Sequence, residues 1–223
     1  MDIKRSMSEL ELYYGRRAPE YEEIYYRSDD VRKAELAQAA AHMAEIVEGK
    51  QVLELACGTG FWTEIAADSA KTIVATDVNT TMIDVAKQKS YPRDNVTFKI
   101  NNAYDPDTVP GDFDAGMANF WLSHVPKSKL NDFLRAFHGR LGTGAEVFMI
   151  DNTNTAFGGE FVEEPGSEDT FKRRQLTDGS KHTVLKNYYS SHDLVLLLGK
   201  WADDLRIEFA DYYWWLSYSI ARV

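Results

Sequence analysis

The 223-residue sequence predicts a doubly wound α/β fold, and three observations carry that expectation. Short, mostly apolar, β-rich segments recur from residue 51 to residue 150, and amphipathic stretches of helical spacing lie between them. The first of these segments runs into a glycine-bearing turn that opens a helix near Phe61. Such alternation asks for a parallel sheet with right-handed crossovers and helices on both faces. Ligands of such sheets bind beyond the carboxyl ends of the strands, so function is expected in the loops that follow them.

The elements follow in order. From 31 to 48 the chain places Leu36, Ala40, Met43 and Val47 on one side, with Gly49 positioned to end a helix. Strands are expected at 51–56, 72–76, 95–100, 112–117 and 145–150, each apolar enough to be buried on both faces. Helices should fill 79–89, where Asn79 can cap, and 126–141, where Leu130, Phe133, Leu134, Phe137 and Leu141 form one face below Pro126. From 152 to 167 the chain turns polar and glycine-bearing, as a surface loop or lid would. A hairpin over 170–176 and 181–188 should follow, turning at Thr177-Asp178-Gly179-Ser180. A helix at 191–201 and strands at 205–209 and 212–220 close the chain. The eight residues 211–218 hold too many consecutive aromatics for simple alternation, so some should face a pocket or a partner subunit, possible in a homodimer.

With 44% hydrophobic residues the chain can close one sizeable core, so a single domain is expected: a cap over 1–30, a core over 31–151, a lid and hairpin over 152–190, and a closing unit over 191–223. The 25 lysines and arginines stand against 35 aspartates and glutamates, a net charge of −10 that disfavours nucleic acid as a partner. The one compact basic run, Lys172-Arg173-Arg174, reads as a solvated strand edge. Residues 1–14 hold no apolar core of the kind a signal peptide or membrane span needs. Cys57 is the only cysteine, which excludes an internal disulfide and fits a reducing, cytoplasmic compartment.

The chemistry concentrates at Glu54-Leu55-Ala56-Cys57-Gly58-Thr59-Gly60. Glycines there let the backbone turn sharply and approach a ligand, while the amides of the new helix face it. A dinucleotide site would favour a third glycine at Thr63, and an acidic Glu54 before the turn suits a cationic or amino-bearing cofactor better than a pyrophosphate.

That segment resembles the glycine-rich first motif of class I S-adenosylmethionine-dependent methyltransferases, with Ala56 in place of the commonest first glycine. Further motifs match in order. Asp77 ends the second strand as the family's ribose-binding carboxylate does, Asn102-Ala103 falls where the adenine edge is read, and 118–124 resembles the segment lining donor and acceptor. Tyr13 to Tyr21 resembles the N-terminal YY-x-x-R-A-x-x-Y segment that folds over the donor in small-molecule members.

The resemblance implies a Rossmann-like, mainly parallel seven-stranded sheet with an antiparallel closing strand, besides the extra hairpin. It implies S-adenosyl-L-methionine as cofactor, held by Tyr14, Arg17, Glu54, Ala56, Gly58, Gly60, Trp62, Asp77, Val78, Met82, Asn102, Ala103 and Asn119. Arg17 would meet the donor carboxylate. The acceptor would be a small apolar or aromatic molecule, methylated on oxygen or nitrogen and touched by Tyr21, Phe120, Trp121 and Asn152. His124 is the candidate general base, and Asp151 a catalytic or substrate-contacting group. Asp151-Asn152 is similar to the pair of catechol-type, magnesium-dependent members, but Asn119 stands where those bring another aspartate, so no metal is expected. Two other functions remain open: an RNA or protein methyltransferase, which would need a charged docking surface, and a non-catalytic binding module, which turnover would separate.

Overall fold

The computed structural model describes residues 3–26, 28–154, 160–164 and 166–222. Five parallel strands are laid down first: β1 (Gln51–Leu55), β2 (Thr72–Asp77), β3 (Val96–Ile100), β4 (Ala115–Met117) and β5 (Glu146–Asn152); β3 lies at the sheet edge and is only partly buried, against the expectation that all five are covered on both faces. Three crossovers are helical, namely α3 (Phe61–Ala67), α4 (Thr80–Ala86) and α5 (Leu130–Leu141). The crossover from β3 to β4 carries only a 3-10 turn at Pro106–Thr108. Asn79 caps α4, its side chain accepting from the Thr81 amide at 3.0 Å.

Two last strands, β9 (Ala202–Phe209) and β10 (Tyr213–Ile220), complete a sheet of order β3-β2-β1-β4-β5-β10-β9. β10 runs antiparallel to both β5 and β9. The chain moves outward from β1 to β3 and returns to β4 on the other flank of β1. That reversal opens a crevice at the carboxyl ends of β1 and β4.

The aromatic run is explained by where β10 lies. Inside the sheet both of its faces are covered, so Tyr213 and Trp215 enter the layer built by Met43, Ile73 and Phe148, while Trp214, Leu216 and Tyr218 enter the layer of Phe133 and Phe137. These rings are core, which corrects the expectation that some face a pocket or a partner. The first layer is covered by α2 (Asp30–Val47), whose Leu36, Ala39, Met43 and Val47 are buried.

A second sheet has the order β6-β7-β8, from β6 (Glu160–Glu163), β7 (Thr170–Gln175) and β8 (Lys181–Leu185). The hairpin is as expected, but β6 lies within the stretch 152–167 read as a loop, of which 155–159 and 165 fall outside the described residues. The basic run is also corrected. Strand alternation turns Arg173 outward to Glu160 at 2.8 Å, while Lys172 is 1% exposed, its ammonium 4.7 Å from the centre of the Phe161 ring.

At the other end of the chain α1 (Ile3–Arg17) continues into a 3-10 turn at Ala18–Ile24. Side chains fasten this segment to the core. The Glu22 carboxylate accepts from Thr59 Oγ1 at 2.7 Å and pairs with Lys89 at 2.8 Å, while Asn79 donates to the Glu11 carbonyl at 2.9 Å.

Candidate active site

The turn after β1 is a run of left-handed backbone, with φ of +53° at Ala56, +57° at Gly58 and +77° at Gly60. The Cys57 amide donates to the Thr76 carbonyl at 2.9 Å and ties the turn to β2. A side chain at Gly60 would stand 2.8 Å from the Tyr91 hydroxyl, so glycine is required there for space as well as for φ. Asp77 then faces the turn, one carboxylate oxygen accepting from the Gly58 amide at 3.0 Å and the other from the Asn79 amide at 2.8 Å. Each oxygen keeps a lone pair for a ligand hydroxyl. Burial raises the Asp77 pKa, against the pull of those two amides.

A cavity of about 940 Å³, open to solvent, occupies the crevice. The glycine turn and β2 contribute Ala56, Gly58, Asp77 and Val78, and α4 contributes Met82. The loops after β3 and β4 contribute Asn102, Ala103, Asn119, Phe120, Trp121 and His124, and the N-terminal segment contributes Tyr14 and Tyr21. Leu10, Glu11, Asn79, Asn101 and Tyr104 also line it without having been foreseen. This is a wall of small, apolar and aromatic groups with two acidic residues, Glu11 and Asp77, and several amides, a lining that fits a nucleoside.

Three residues expected at the cofactor stand behind this surface. Glu54 is 1% exposed and accepts from Thr63 Oγ1 at 2.6 Å; burial raises its pKa to about 8. Gly60 packs on Tyr91 and Ala86, and Trp62 is part of the core. The Glu54 side chain lies against Thr63 of α3 instead of the crevice, and the turn meets the cavity at Ala56 and Gly58 and has left it by Gly60.

A smaller pocket holding about 580 Å³ of empty space, part of it open solvent, adjoins the first, and Tyr14, Tyr21, Phe120 and His124 line both. Its other walls include Tyr25, Asn152, Arg174, Lys186 and Arg17. Arg17, expected at the donor, lines this cavity and not the larger one; its guanidinium lies 5.0 Å from the Tyr21 ring centre.

His124 is held at both nitrogens. Nδ1 lies 2.7 Å from the Leu185 carbonyl, which can only accept, so Nδ1 carries the proton. Nε2 is then the acceptor for the Tyr14 hydroxyl at 2.7 Å. Burial, reinforced by the nearby Lys186, pushes the His124 pKa down to about 3. An imidazole so placed is a weak base with its lone pair already engaged, and that departs from the role of direct general base expected for it. Burial together with Tyr21 raises the Tyr14 pKa well above the ordinary phenol value.

Asp151 departs further. It is fully buried and lines neither cavity, because Lys186 Nζ pairs with it at 2.8 Å while the amides of Ser123 and Asn152 donate to it at 3.0 and 2.8 Å. Burial works against its ionisation, yet Lys186 keeps its pKa below the ordinary carboxylate value. Lys186 also donates to Ser123 Oγ at 2.7 Å. Among the described residues no cluster of three or more His, Cys, Asp or Glu is placed to hold a metal. Lys186 was not singled out in the sequence, and Arg174 only within a basic run read as a solvated strand edge. Alternation along 172–174 was the available signal for Arg174, whereas an isolated lysine at a strand end gives none.

The sheet order, the left-handed glycine turn and the carboxylate at the end of β2 agree with the resemblance to class I S-adenosylmethionine-dependent methyltransferases. Residues 52–144 match the family model described as a methyltransferase domain. The solved complex of DhpI with SAM and HEP is similar over 95% of this chain and 96% of that one, with a TM-score of 0.77 at 25% identity. Magnesium protoporphyrin IX methyltransferase from Synechocystis PCC 6803, with bound SAH, shares the fold at a TM-score of 0.61 and 14% identity, covering 91% of this chain and 93% of that one. Demethylmenaquinone methyltransferase of Tropheryma whipplei (strain Twist) is 25% identical over 127 residues, 57% of this chain and 52% of that protein. The chain thus spans about half the length of that curated relative. The enzyme of the same name from Paenarthrobacter aurescens (strain TC1) is 32% identical over 93 residues, 41% of this chain and 36% of that one. No helix among the described residues is long and apolar enough to cross a membrane.

Proposed function

We propose that this chain binds S-adenosyl-L-methionine in the larger cavity and transfers its methyl group to an oxygen or nitrogen of a small molecule in the smaller one. The observation that carries the reading is Asp77, whose carboxylate is fixed by the Gly58 and Asn79 amides at the cavity wall, where a ribose would present two hydroxyls. In this reading Val78, Met82, Asn102 and Ala103 take the adenine, Ala56, Gly58 and Asn119 the methionyl chain, and Tyr14 and Tyr21 exclude water. The bound donor supplies an electrophilic methyl on a sulfonium. The protein's own part is to orient the acceptor in line with it, a contribution that can reach ~7–11 kcal/mol. A cytoplasmic setting agrees with the lone cysteine.

Calorimetry tests this. S-adenosylmethionine and S-adenosylhomocysteine should bind more tightly than NADH, and Asp77→Ala should weaken both by roughly 1–3 kcal/mol. Tighter binding of NADH would overturn the assignment, and an unchanged affinity in a folded Asp77→Ala protein would remove Asp77 from the site.

A further inference from the structure

The smaller cavity joins aromatic and apolar walls to a cluster of positive charge. Its described lining residues include three cations, Arg17, Arg174 and Lys186, and no carboxylate. Of these only Lys186 is buried, where a charge needs a counter-charge, and Arg17 and Arg174 are half-buried. Lys186 has Asp151, while Arg17 rests against the faces of Tyr13 and Tyr21, with 5.7 and 5.0 Å to the ring centres. Arg174 projects from β7 on the inward side, two residues beyond buried Lys172. Its positive field reaches the walls, since it disfavours the protonated form of His124, Lys186 and the Tyr14 hydroxyl alike.

The same cavity offers no base. Both nitrogens of His124 are engaged, and the Asp151 carboxylate is enclosed by Lys186, Ser123 and Asn152. A neutral alcohol or an ammonium acceptor would have to lose a proton here, and the lining has nowhere to put it. An acceptor that arrives already deprotonated needs only to be held.

Resting on the methyltransferase reading above, we propose that the smaller cavity takes a small oxyanion, a carboxylate or a phosphoryl acid, gripped by Arg174 with Lys186 beside it, and that the oxyanion is itself the nucleophile. An oxygen lone pair of the acceptor forms the new O–CH3 bond while the S–CH3 bond breaks, and that bonding pair stays on sulfur. One negative and one positive charge are consumed, giving a neutral ester link and a neutral thioether, with no proton moved. Arg174 is placed to orient the oxyanion through paired N–H donors, a geometry that lysine cannot reproduce. Tyr14, at the junction of the cavities, excludes water from the transfer.

The test uses the full chain with benzoate and phenyl phosphate as probes of the two oxyanion types, and benzamide as a neutral control. Calorimetry is run with and without saturating S-adenosylhomocysteine, and methyl ester formation is followed with labelled donor. The expected result is binding of at least one anion, weakened by added salt, with no binding of benzamide. Arg174→Gln should weaken the anion at least about tenfold while S-adenosylhomocysteine affinity stays within about twofold, and Arg174→Lys should recover part of the loss. Equal binding of benzamide, or of the anion to a folded Arg174→Gln protein, would overturn the proposal. So would retention of S-adenosylhomocysteine with no binding of either anion, a result that leaves the donor reading intact. Failure of S-adenosylhomocysteine to bind would instead sink that reading, and the anion titrations without it still decide the charge of the cavity.

Discussion

The Tyr14 hydroxyl donates to Nε2 of His124 across 2.7 Å, joining the N-terminal helix to the loop after β4 at the wall that the two cavities share. The bond fixes the histidine as a neutral acceptor, since Nδ1–H is committed to Leu185.

The His124 imidazole should therefore stay neutral to far lower pH than a free histidine. Its folded pKa, about 3, lies below its ordinary 6.5, so its contribution to stability is complete above pH 6.5 and is lost as pH falls toward 3. An NMR titration of the imidazole protons checks this. A transition near 6.5 for His124 in the folded protein would contradict the geometry, and a pH–rate profile should show no limb there from this residue.

Glu54 carries the opposite sign. An unfolded chain releases this proton near pH 4.5, whereas the folded protein keeps it to about 8, so raising the pH across that window favours unfolding. The slope is at most about 1.4 kcal/mol per pH unit. Glu54→Gln preserves an acceptor for Thr63 and removes the titration. Its stability advantage over the parent, read by denaturant unfolding, should be larger at pH 8 than at pH 5; an advantage independent of pH would count against it.

Ala56 sits at φ +53°, in a region that favours glycine. A left-handed conformation costs an alanine ~1–2 kcal/mol, and the extra freedom glycine gives the unfolded chain costs ~0.4–1 kcal/mol. Ala56→Gly should leave stability unchanged or raise it by up to about 1.6 kcal/mol, measured as a shift in Tm. Destabilisation by more than about 1 kcal/mol would mean that the methyl group makes packing contacts outweighing its strain.

What could be read in advance follows from how local each cause is. The strands and helices from β1 to β5 repeat an apolar pattern with caps and turns a few residues away, so Asn79, Asp77 and the glycine turn disclosed themselves in order. Which side of the turn a residue occupies is set by the exact path of the backbone, and for that reason Glu54, Gly60 and Trp62 could not be told from true cavity residues. β6 was hidden because its four residues are too few to show a period. The cationic wall was hidden for a different reason: Arg174 and Lys186 meet Arg17 only after the small sheet docks beside α1, across more than a hundred residues of chain.

One pair of tyrosines, Tyr14 and Tyr21, roofs both cavities, and the segment bearing them is pinned at Glu11 and Glu22. Two ligands beneath a common roof are thermodynamically linked. Whatever free energy one occupant contributes to ordering that segment is no longer needed when the second arrives, and reciprocity makes the gain in affinity equal in both directions. Under the proposed function, the two sites are expected to form a heterotropic pair, with S-adenosylhomocysteine and the acceptor each raising the affinity for the other by the same factor.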